Sequence, residues 1–137
     1  NSGATSNGYS SGATSNGDSS GATSNGDSSG ATSNGYSSGA TSNGDNSGAT
    51  SNGNRSGATS NGDNSFASAI KGGVATAIGK NCKVKGKIGA WLILIEGDYD
   101  ASHNFYIKNL TSKIVDGKII KEDVFYCLIN NKVVKSK

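Results

Sequence analysis

A single nonapeptide repeats seven times over residues 1–63 and constrains the fold more than any other feature of this chain. The segment Gly-Ala-Thr-Ser-Asn-Gly recurs without change, and only the residues between its copies vary. A fixed period indicates a quasi-one-dimensional structure in which one unit stacks on the next. A catalytic site needs unlike groups that converge at one place, so the pattern predicts architecture and assembly rather than an activity.

The composition of the repeat leaves two structures open. Gly, Ser and Asn dominate, and so little apolar surface favours a disordered spacer before a folded part that starts at about Phe66. The strict period favours a β-solenoid (a β-roll or β-helix) in which every repeat contributes one strand and one turn. We therefore expect an all-β fold, a solenoid of nine-residue repeats with a small C-terminal β cap domain.

In such a solenoid, one alanine per repeat is predicted to point inward, and the threonine beside it favours extended backbone because it is β-branched. Pairs such as Asn7-Gly8 are expected to form turns that need a positive φ, and stacked asparagines to bond from coil to coil. The predicted solenoid core consists of Ala4, Ala13, Ala22, Ala31, Ala40, Ala49, Ala58, Ala67 and Ala75.

The position after each Asn-Gly pair varies and is predicted to face outward. It carries Tyr9, Asp18, Asp27, Tyr36, Asp45, Asn54 and Asp63. If two repeats complete a coil, Tyr9 lies over Asp27 and further aspartates stack in the same column. If three repeats complete a coil, Tyr9 lies over Tyr36, and the wider spacing of like charges favours this second geometry.

Changes in composition predict three segments. Residues 1–63 are the repeat solenoid, residues 64–86 are transitional solenoid coils, and residues 87–137 are a small C-terminal β domain for capping or assembly. The net charge changes from −3 over residues 1–63 to +6 over residues 64–137, so opposite fields would steer head-to-tail contact. The charge falls short of a nucleic-acid surface, which needs clustered Arg and Lys together with base-stacking aromatics, so we expect no nucleic-acid partner.

The C-terminal segment is predicted to be mostly β. The apolar run Ile88–Glu96 indicates a buried strand that pairs with Asn104–Lys108. Asp116-Gly117 and Asn130-Asn131 each predict a hairpin turn, and Glu122–Phe125 fits a helical turn. The predicted cap core consists of Trp91, Ile93, Ile95, Phe105, Phe125 and Tyr126.

Two resemblances point to the same architecture. Val74-Ala75-Thr76-Ala77-Ile78-Gly79, followed by Val84-Lys85-Gly86, resembles the left-handed β-roll repeat in the heads of trimeric autotransporter adhesins. Over nearly the whole chain, the nonapeptides, the stretch Gly86–Trp91 and the terminal Asp-Gly-Lys resemble bacterial and phage proteins of unknown function with a short C-terminal β domain. This second resemblance implies an architecture and no activity, and Ala90 departs from the cysteine common in that family.

No residue pattern points to catalysis, a cofactor or a metal, and we expect none of the three. His103 is the single histidine and is predicted to lie in a loop, while Asp98, Asp100, Glu122 and Asp123 fit a solvated loop and a helix start. The nine-residue period matches that of calcium-binding Gly-Gly-x-Gly-x-Asp repeats, but aspartate occupies the variable position in only four of the seven copies.

The two cysteines lack metal-site spacing, so Cys82 and Cys127 are expected to be small buried or free thiols. A disulfide between them would need an oxidising compartment. The apolar segment Trp91–Ile95 is too short for a membrane span, so none is expected. The regular threonines also fit an ice-binding face, and Tyr9 and Tyr36 fit a surface that contacts a glycan.

The sequence therefore predicts a non-enzymatic structural protein whose rod and cap self-assemble into an oligomer or filament. A fibre, stalk or surface appendage of a bacterium or phage fits, and an extracellular surface or a virion is the favoured location. The expected partner is the chain itself, as a homo-oligomer or as a head-to-tail fibre in which the cap docks on the first coil of the next subunit.

The chain has no Met and opens within a repeat, which predicts that a leader has been removed or that further repeats precede it. The alternative function is a binding module that displays rows of Tyr, Asp, Asn or Thr to a glycan, ice or calcium.

Overall fold

The computed structural model describes residues 1–136, and this range contains strands but no helix, which confirms the predicted all-β class. The chain forms a β-solenoid of about 5 turns with coils about 18 residues apart. The disordered-spacer alternative is wrong, because every repeat forms a strand. The strands are β1 (Gly3–Ser6), β2 (Gly12–Ser15), β3 (Gly21–Ser24), β4 (Gly30–Ser33), β5 (Gly39–Asn43), β6 (Gly48–Ser51), β7 (Gly57–Asn61), β8 (Phe66–Ala69), β9 (Val74–Ile78), β10 (Lys83–Gly86), β11 (Trp91–Tyr99), β12 (Phe105–Ile114), β13 (Tyr126–Ile129) and β14 (Lys132–Lys135).

Two nonapeptides complete each coil, and the prediction of three is wrong. Sheet A holds β12 and the odd-numbered strands up to β11, while sheet B holds β14, β13 and the even-numbered strands up to β10. Neighbours in the repeat region are parallel, with Ala4 beside Ala22. Each repeat supplies one turn, which takes the chain to the opposite sheet, so the second turn returns it to the first. Tyr9 consequently lies by Asp27 rather than by Tyr36, and the Ser10 N–H donates to the Asp27 carbonyl at 3.0 Å.

The space between the two sheets is filled by alanine and serine. Ala4 is half-buried, and the other predicted core alanines are buried, namely Ala13, Ala22, Ala31, Ala40, Ala49, Ala58, Ala67 and Ala75. Two serines per repeat join them, which the sequence analysis missed. One row is Ser15, Ser24, Ser33, Ser42, Ser51 and Ser60, and the other is Ser20, Ser29, Ser38, Ser47, Ser56 and Ser65. The first row is two residues beyond each alanine, and such residues share a strand face.

The turns use the invariant glycine differently from the prediction. The residue with positive φ is not the glycine of Asn-Gly but the second residue after it, such as Ser28 (φ 58°) or Asn46 (φ 57°). The glycine is needed because successive coils approach closely at this point. A Cβ on Gly44 would lie 2.6 Å from the carbonyl carbon of Gly26 in the preceding coil.

The solenoid continues without a break through residues 64–86. Strand β8 pairs in parallel with β6 and β10, and β9 pairs in parallel with β7 and β11. The inward positions of β8 and β9 remain small, since Ala67, Ala69, Ala75 and Ala77 are all buried. The boundary placed at residue 87 therefore falls inside the same two sheets, and β11 is the last parallel strand of sheet A.

One antiparallel hairpin closes each sheet. In sheet A, β11 turns back into β12, with Trp91 beside Ile114. In sheet B, β13 pairs antiparallel with β10 and with β14. The predicted hairpin at Asn130-Asn131 is confirmed, and both asparagines have positive φ.

The hairpin predicted at Asp116-Gly117 is wrong. Asp116 Oδ1 instead accepts the backbone N–H groups of Lys118, Ile119 and Ile120 at 2.9–3.0 Å, which holds the segment as a loop. This side-chain bonding replaces the ladder that a hairpin would form. The segment Glu122–Phe125 begins with a turn and forms no helix.

The predicted core of the cap is right in part. Ile95 and Tyr126 are buried, and Ile93 and Phe125 are half-buried. Trp91 and Phe105 were wrongly placed in the core, since they are 47% and 36% exposed. For Trp91 the reason is register: β11 extends sheet A with Leu92 beside Ala75, so Leu92 inherits the inward direction. Phe105 begins the outermost strand, β12, and its ring packs against Tyr99 with centroids 5.6 Å apart. The buried residues at this end that the sequence did not reveal are Val84 on β10 and, in the cap, Leu92, Leu94, Val115, Ile120 and Leu128.

Candidate binding surfaces

The variable positions form two columns along opposite edges of the rod. One column holds Tyr9, Asp27, Asp45 and Asp63, and the other holds Asp18, Tyr36 and Asn54. All are exposed except Asp63, which is half-buried and accepts a hydrogen bond from the Tyr99 hydroxyl at 3.1 Å.

The stacked carboxylates serve the rod itself. Asp27 Oδ1 accepts the N–H of Asp45 at 3.1 Å, and Asp45 Oδ1 accepts the N–H of Asp63 at 2.8 Å. Asp63 Oδ1 accepts the N–H of Lys80 at 2.8 Å. These bonds and the surrounding solvent allow like charges to stack in a two-repeat coil. No group of three or more His, Cys, Asp or Glu residues placed to hold a metal occurs within residues 1–136.

The predicted asparagine ladders are present at both edges. Asn25 Nδ2 donates to Asn7 Oδ1 at 2.7 Å, and Asn43 Nδ2 donates to Asn25 Oδ1 at 2.8 Å. The second ladder links Asn34 to Asn16 at 2.6 Å. The threonines point outward in two rows, one on each sheet, so the rod carries them on opposite faces.

The acidic residues of the cap are engaged in local contacts. Asp98 forms an ion pair with Lys80 at 2.9 Å, and this contact lowers the pKa of the carboxyl group. Asp123 forms an ion pair with Lys87. His103 is exposed, with a φ of 61°, in the turn between β11 and β12. These residues do not converge on one place.

Asp100 and Glu122 complete the set of acidic candidates. Asp100 Oδ1 accepts the N–H groups of Ser102 at 2.8 Å and Asn104 at 2.9 Å, which lowers the pKa of Asp100 and fixes that turn. Glu122 is exposed at the loop before β13. Asp100 serves its own turn, and Glu122 adjoins Asp123, whose carboxylate pairs with Lys87.

Glu96 ties the two hairpins together, a role that the sequence did not reveal. Its carboxylate accepts the Asn109 side-chain amide at 2.7 Å and the N–H groups of Asn130 and Asn131 at 2.9 and 3.1 Å. The Asn109 amide lowers the pKa of Glu96 most, followed by the two backbone donors. The side chain links the β13–β14 turn in sheet B to the β11–β12 hairpin in sheet A.

Both cysteines are free thiols. Cys82 is buried in the column otherwise occupied by serine, and burial raises the pKa of its thiol to about 11. Its Sγ donates to the Gly62 carbonyl at 3.1 Å, as Ser65 Oγ does to Gly44. Cys127 is half-buried, and its pKa is also raised by burial.

The outer face of sheet A becomes apolar at the C-terminal end. Val74 lies beside Gly57, Trp91 beside Val74, and Ile114 beside Trp91. Leu110, beside Ile95, extends this row along β12. We call Val74, Trp91, Leu110 and Ile114 the apolar face; each is between 37% and 57% exposed.

The outer face of sheet B becomes basic and aromatic at the same end. Here Phe66 lies beside Gly48, and Lys83 lies beside Phe66. Lys83 and Lys85 both place their Nζ atoms over the ring of Phe125, at 4.8 and 4.9 Å from its centroid. We call the surface formed by Phe66, Lys83, Lys85 and Phe125 the basic groove; its volume is about 500 Å³.

Comparisons with known proteins found no relative of this chain. Within residues 1–136, no helix is long and apolar enough to cross a membrane. The predicted kinship with nonapeptide-repeat proteins and adhesin heads remains a prediction from sequence motifs. No protein-family model, no curated protein and no solved structure matches this chain.

Proposed function

We propose that this chain is a non-catalytic structural rod that self-assembles through its C-terminal end. The observation that carries the proposal is the exposed apolar face beside the free edge of β12. The coils of the rod repeat the same polar surface. At the C-terminal end, the outer face of sheet A becomes apolar and the outer face of sheet B becomes basic. A fibre, stalk or appendage at a bacterial or phage surface is the setting we propose, on the basis of the sequence resemblance.

The rod is suited to a mechanical role. Its coils are joined by parallel backbone pairing, by the asparagine ladders and by buried serines that bond between coils, such as Ser47 Oγ accepting the Ser29 N–H at 3.1 Å. Every coil repeats the same contacts, so stability accumulates along the axis as it does in other repeat proteins. Such a rod acts as a spacer of defined length.

The two terminal edges of the cap differ in how well they resist pairing. Strand β14 has only four residues and carries Lys132 and Lys135. A short edge strand with lysines discourages pairing with a strand of another molecule. Strand β12 has ten residues, is the outermost strand of sheet A and is exposed along most of its length. An edge of this length favours addition of a further strand.

A second copy of the chain is the occupant that we propose. Two β12 strands paired antiparallel would form an isologous contact and join sheet A of one copy to sheet A of the other. The two apolar faces would then adjoin, and Leu110 and Ile114, the apolar-face residues on β12, would pack against the partner copy across the new strand pair. Longer filaments need a second contact, and the charges of −3 on residues 1–63 and +6 on residues 64–137 favour one that places the acidic rod of one copy against the basic cap of another.

Sedimentation velocity of the purified chain tests this proposal, together with negative-stain electron microscopy. The native chain should sediment above its monomer mass of 13.7 kDa. The double variant Leu110→Ser/Ile114→Ser should sediment as a monomer, because it removes the two apolar side chains that β12 would bring to the contact. The control Ile129→Ser changes a residue that is 51% exposed on β13 and should leave the association unchanged.

Two outcomes would contradict the proposal. The first is a native chain that remains monomeric at high concentration, because the proposed self-association would then not occur. Equal dissociation by the control and by the double variant would show that the apolar face is not the contact. Repeating the run in chelator separates the calcium alternative, since a calcium-dependent rod would change its sedimentation and the proposed assembly would not.

A further inference from the structure

The basic groove lies where the outer face of sheet B changes its chemistry. Along one row, Gly30 and Gly48 are followed by Phe66 and Lys83. Along the row two residues further, Thr50 is followed by Ser68 and Lys85. Small side chains on the rod thus form a shallow floor that leads to larger side chains at the C-terminal end.

Phe125 brings the two ammonium groups together. The Nζ atoms of Lys83 and Lys85 both lie within 5 Å of its ring centroid, a distance typical of cation–π contacts. Phe66 packs edge-on against Phe125, with ring centroids 5.7 Å apart, and so holds that ring in place. The lysines are therefore oriented by packing rather than free in solvent.

Within residues 1–136 these two lysines have no acidic partner. The ion pairs of the cap involve Lys80, Lys87 and Lys108 instead. Two positive charges held over one ring create a local positive potential, which attracts an anionic group. Lys87, at the end of the groove, is already paired with Asp123.

Neutral hydrogen-bonding groups line part of the groove, beside Ala69, Ile70 and the Lys87–Asp123 ion pair. Thr50, Asn52 and Ser68 border it together with the two lysines and the two phenylalanines. The volume of about 500 Å³ is within the range of small-molecule sites. An occupant would therefore meet charge at one end and hydroxyl and amide groups at the other.

We propose that the basic groove binds an anionic saccharide, with its acidic group between Lys83 and Lys85 and its hydroxyl groups on Thr50, Ser68 and Asn52. Sugar hydroxyls match this mixture of neutral donors and acceptors. A nucleic acid fits less well, because the Phe125 ring already contacts two ammonium groups and the groove has no arginine for phosphate. The site is independent of the proposed self-assembly, which uses sheet A.

Calorimetric titration of the full chain with an oligogalacturonate tests this inference. The fully methyl-esterified oligomer of the same length is the matched ligand without charge. Native protein should bind the acid form and not the ester, and binding should weaken in about 0.5 M sodium chloride because exposed charges are screened. Lys83→Gln/Lys85→Gln should weaken binding by about tenfold or more.

A matched protein control removes the same charge elsewhere on sheet B. Lys132→Gln/Lys135→Gln should bind the oligogalacturonate nearly as well as the native chain. If both double variants lost the same affinity, binding would depend on net charge alone and the inference would be overturned. Failure of the native chain to bind the oligogalacturonate would also overturn it. Equal affinity for an oligothymidylate of similar charge would identify a general polyanion surface instead.

A second measurement does not depend on how the variants fold. Native protein is acetylated with and without the oligogalacturonate, and the modified lysines are mapped by mass spectrometry. The ligand should protect Lys83 and Lys85 and leave Lys132 and Lys135 unprotected. Uniform protection, or none, would contradict a site at the basic groove.

Discussion

At the scale of single residues, the invariance of the repeat reflects contacts between successive coils. A serine before the Gly-Ala-Thr-Ser segment uses its hydroxyl twice toward the preceding coil, once as a donor and once as an acceptor. Ser47 Oγ donates to the Gly26 carbonyl at 3.2 Å and accepts the Ser29 N–H at 3.1 Å. Removing such a hydroxyl would leave a buried N–H without a partner, which is costly. The contacts between coils therefore require both the nine-residue length of the repeat and its serine hydroxyl groups.

The glycine of Asn-Gly gives the sharpest test at this scale. Gly44→Ala should lower the free energy of unfolding by about 1–3 kcal/mol, because the new methyl group would press on the backbone of Gly26 and force the coils apart. Urea unfolding followed by circular dichroism measures the change.

Gly39→Ala is the matched control for that substitution. A Cβ at Gly39 would lie 3.6 Å from the Gly57 carbonyl oxygen, which is ordinary contact, and its φ is not positive. The control should leave stability unchanged or raise it by about 0.5–1 kcal/mol, since alanine restricts the unfolded chain. Equal destabilisation by both variants would mean that coil spacing is not what selects glycine.

At the scale of elements, the cap is held by polar side chains that bind backbone groups. Asp100 and Asp116 each organise a loop, and Glu96 joins one hairpin to the other. Carboxylates can do this because one oxygen accepts several N–H groups at once. The cap thus uses acids where the rod uses serine and asparagine.

Glu96 makes the cap sensitive to acid. Its folded-state pKa lies below the ordinary value of 4.5, so its bonds stabilise the fold above that pH and are lost as pH falls through the folded pKa. Glu96→Gln should melt several degrees below the native chain at pH 7. The difference should shrink as pH falls below 4.5. Thermal melts across this range measure it.

Glu122→Gln is the control for the pH experiment. This exposed residue has no part in the contacts between the two hairpins, so its melting curve should follow the native curve at every pH. A difference between native and Glu96→Gln that persists unchanged to low pH would mean that the charge of Glu96 is irrelevant to stability.

At the scale of the whole molecule, the chain is a stack whose length follows from the number of coils. Parallel strands lie about 4.8 Å apart, and each coil adds one strand to each sheet. Every coil contacts its neighbours, so coils are interchangeable within residues 1–63. The cap is the part that cannot be exchanged, because its hairpins and loops are unique.

Removal of whole coils tests this description. Deleting residues 19–54 removes two coils and should shorten the rod by about 10 Å, with the cap unchanged. Small-angle scattering measures the length, and Trp91 fluorescence reports on the cap. A much smaller shortening, or loss of the Trp91 signal, would contradict a coil of 18 residues.

Much of the rod could be predicted because its sequence repeats. Once Ala22 points inward, strand alternation makes Thr23 point outward and Ser24 inward, a step that the sequence analysis did not take. The asparagine ladders and the Asn130-Asn131 turn also followed from local chemistry. The serine core could have been found from the same alternation.

The candidate surfaces were harder to predict because they depend on register between distant strands. Trp91 is exposed since it pairs beside Val74, and nothing in the run Ile88–Glu96 fixes which alternate residues face outward. The convergence of Lys83 and Lys85 depends on Phe125, which follows two further strands in the chain.

The sequence by itself determined the all-β class, the solenoid and the inward alanines, because these depend on a period and on strand alternation. Only the tertiary structure decided that two repeats form a coil, that Asp45 stacks over Asp27, and that one face of the cap is apolar and the other basic. These features arise from contacts between coils. Local preference and simple charge repulsion do not specify them, because backbone bonds and solvent offset the repulsion between stacked carboxylates.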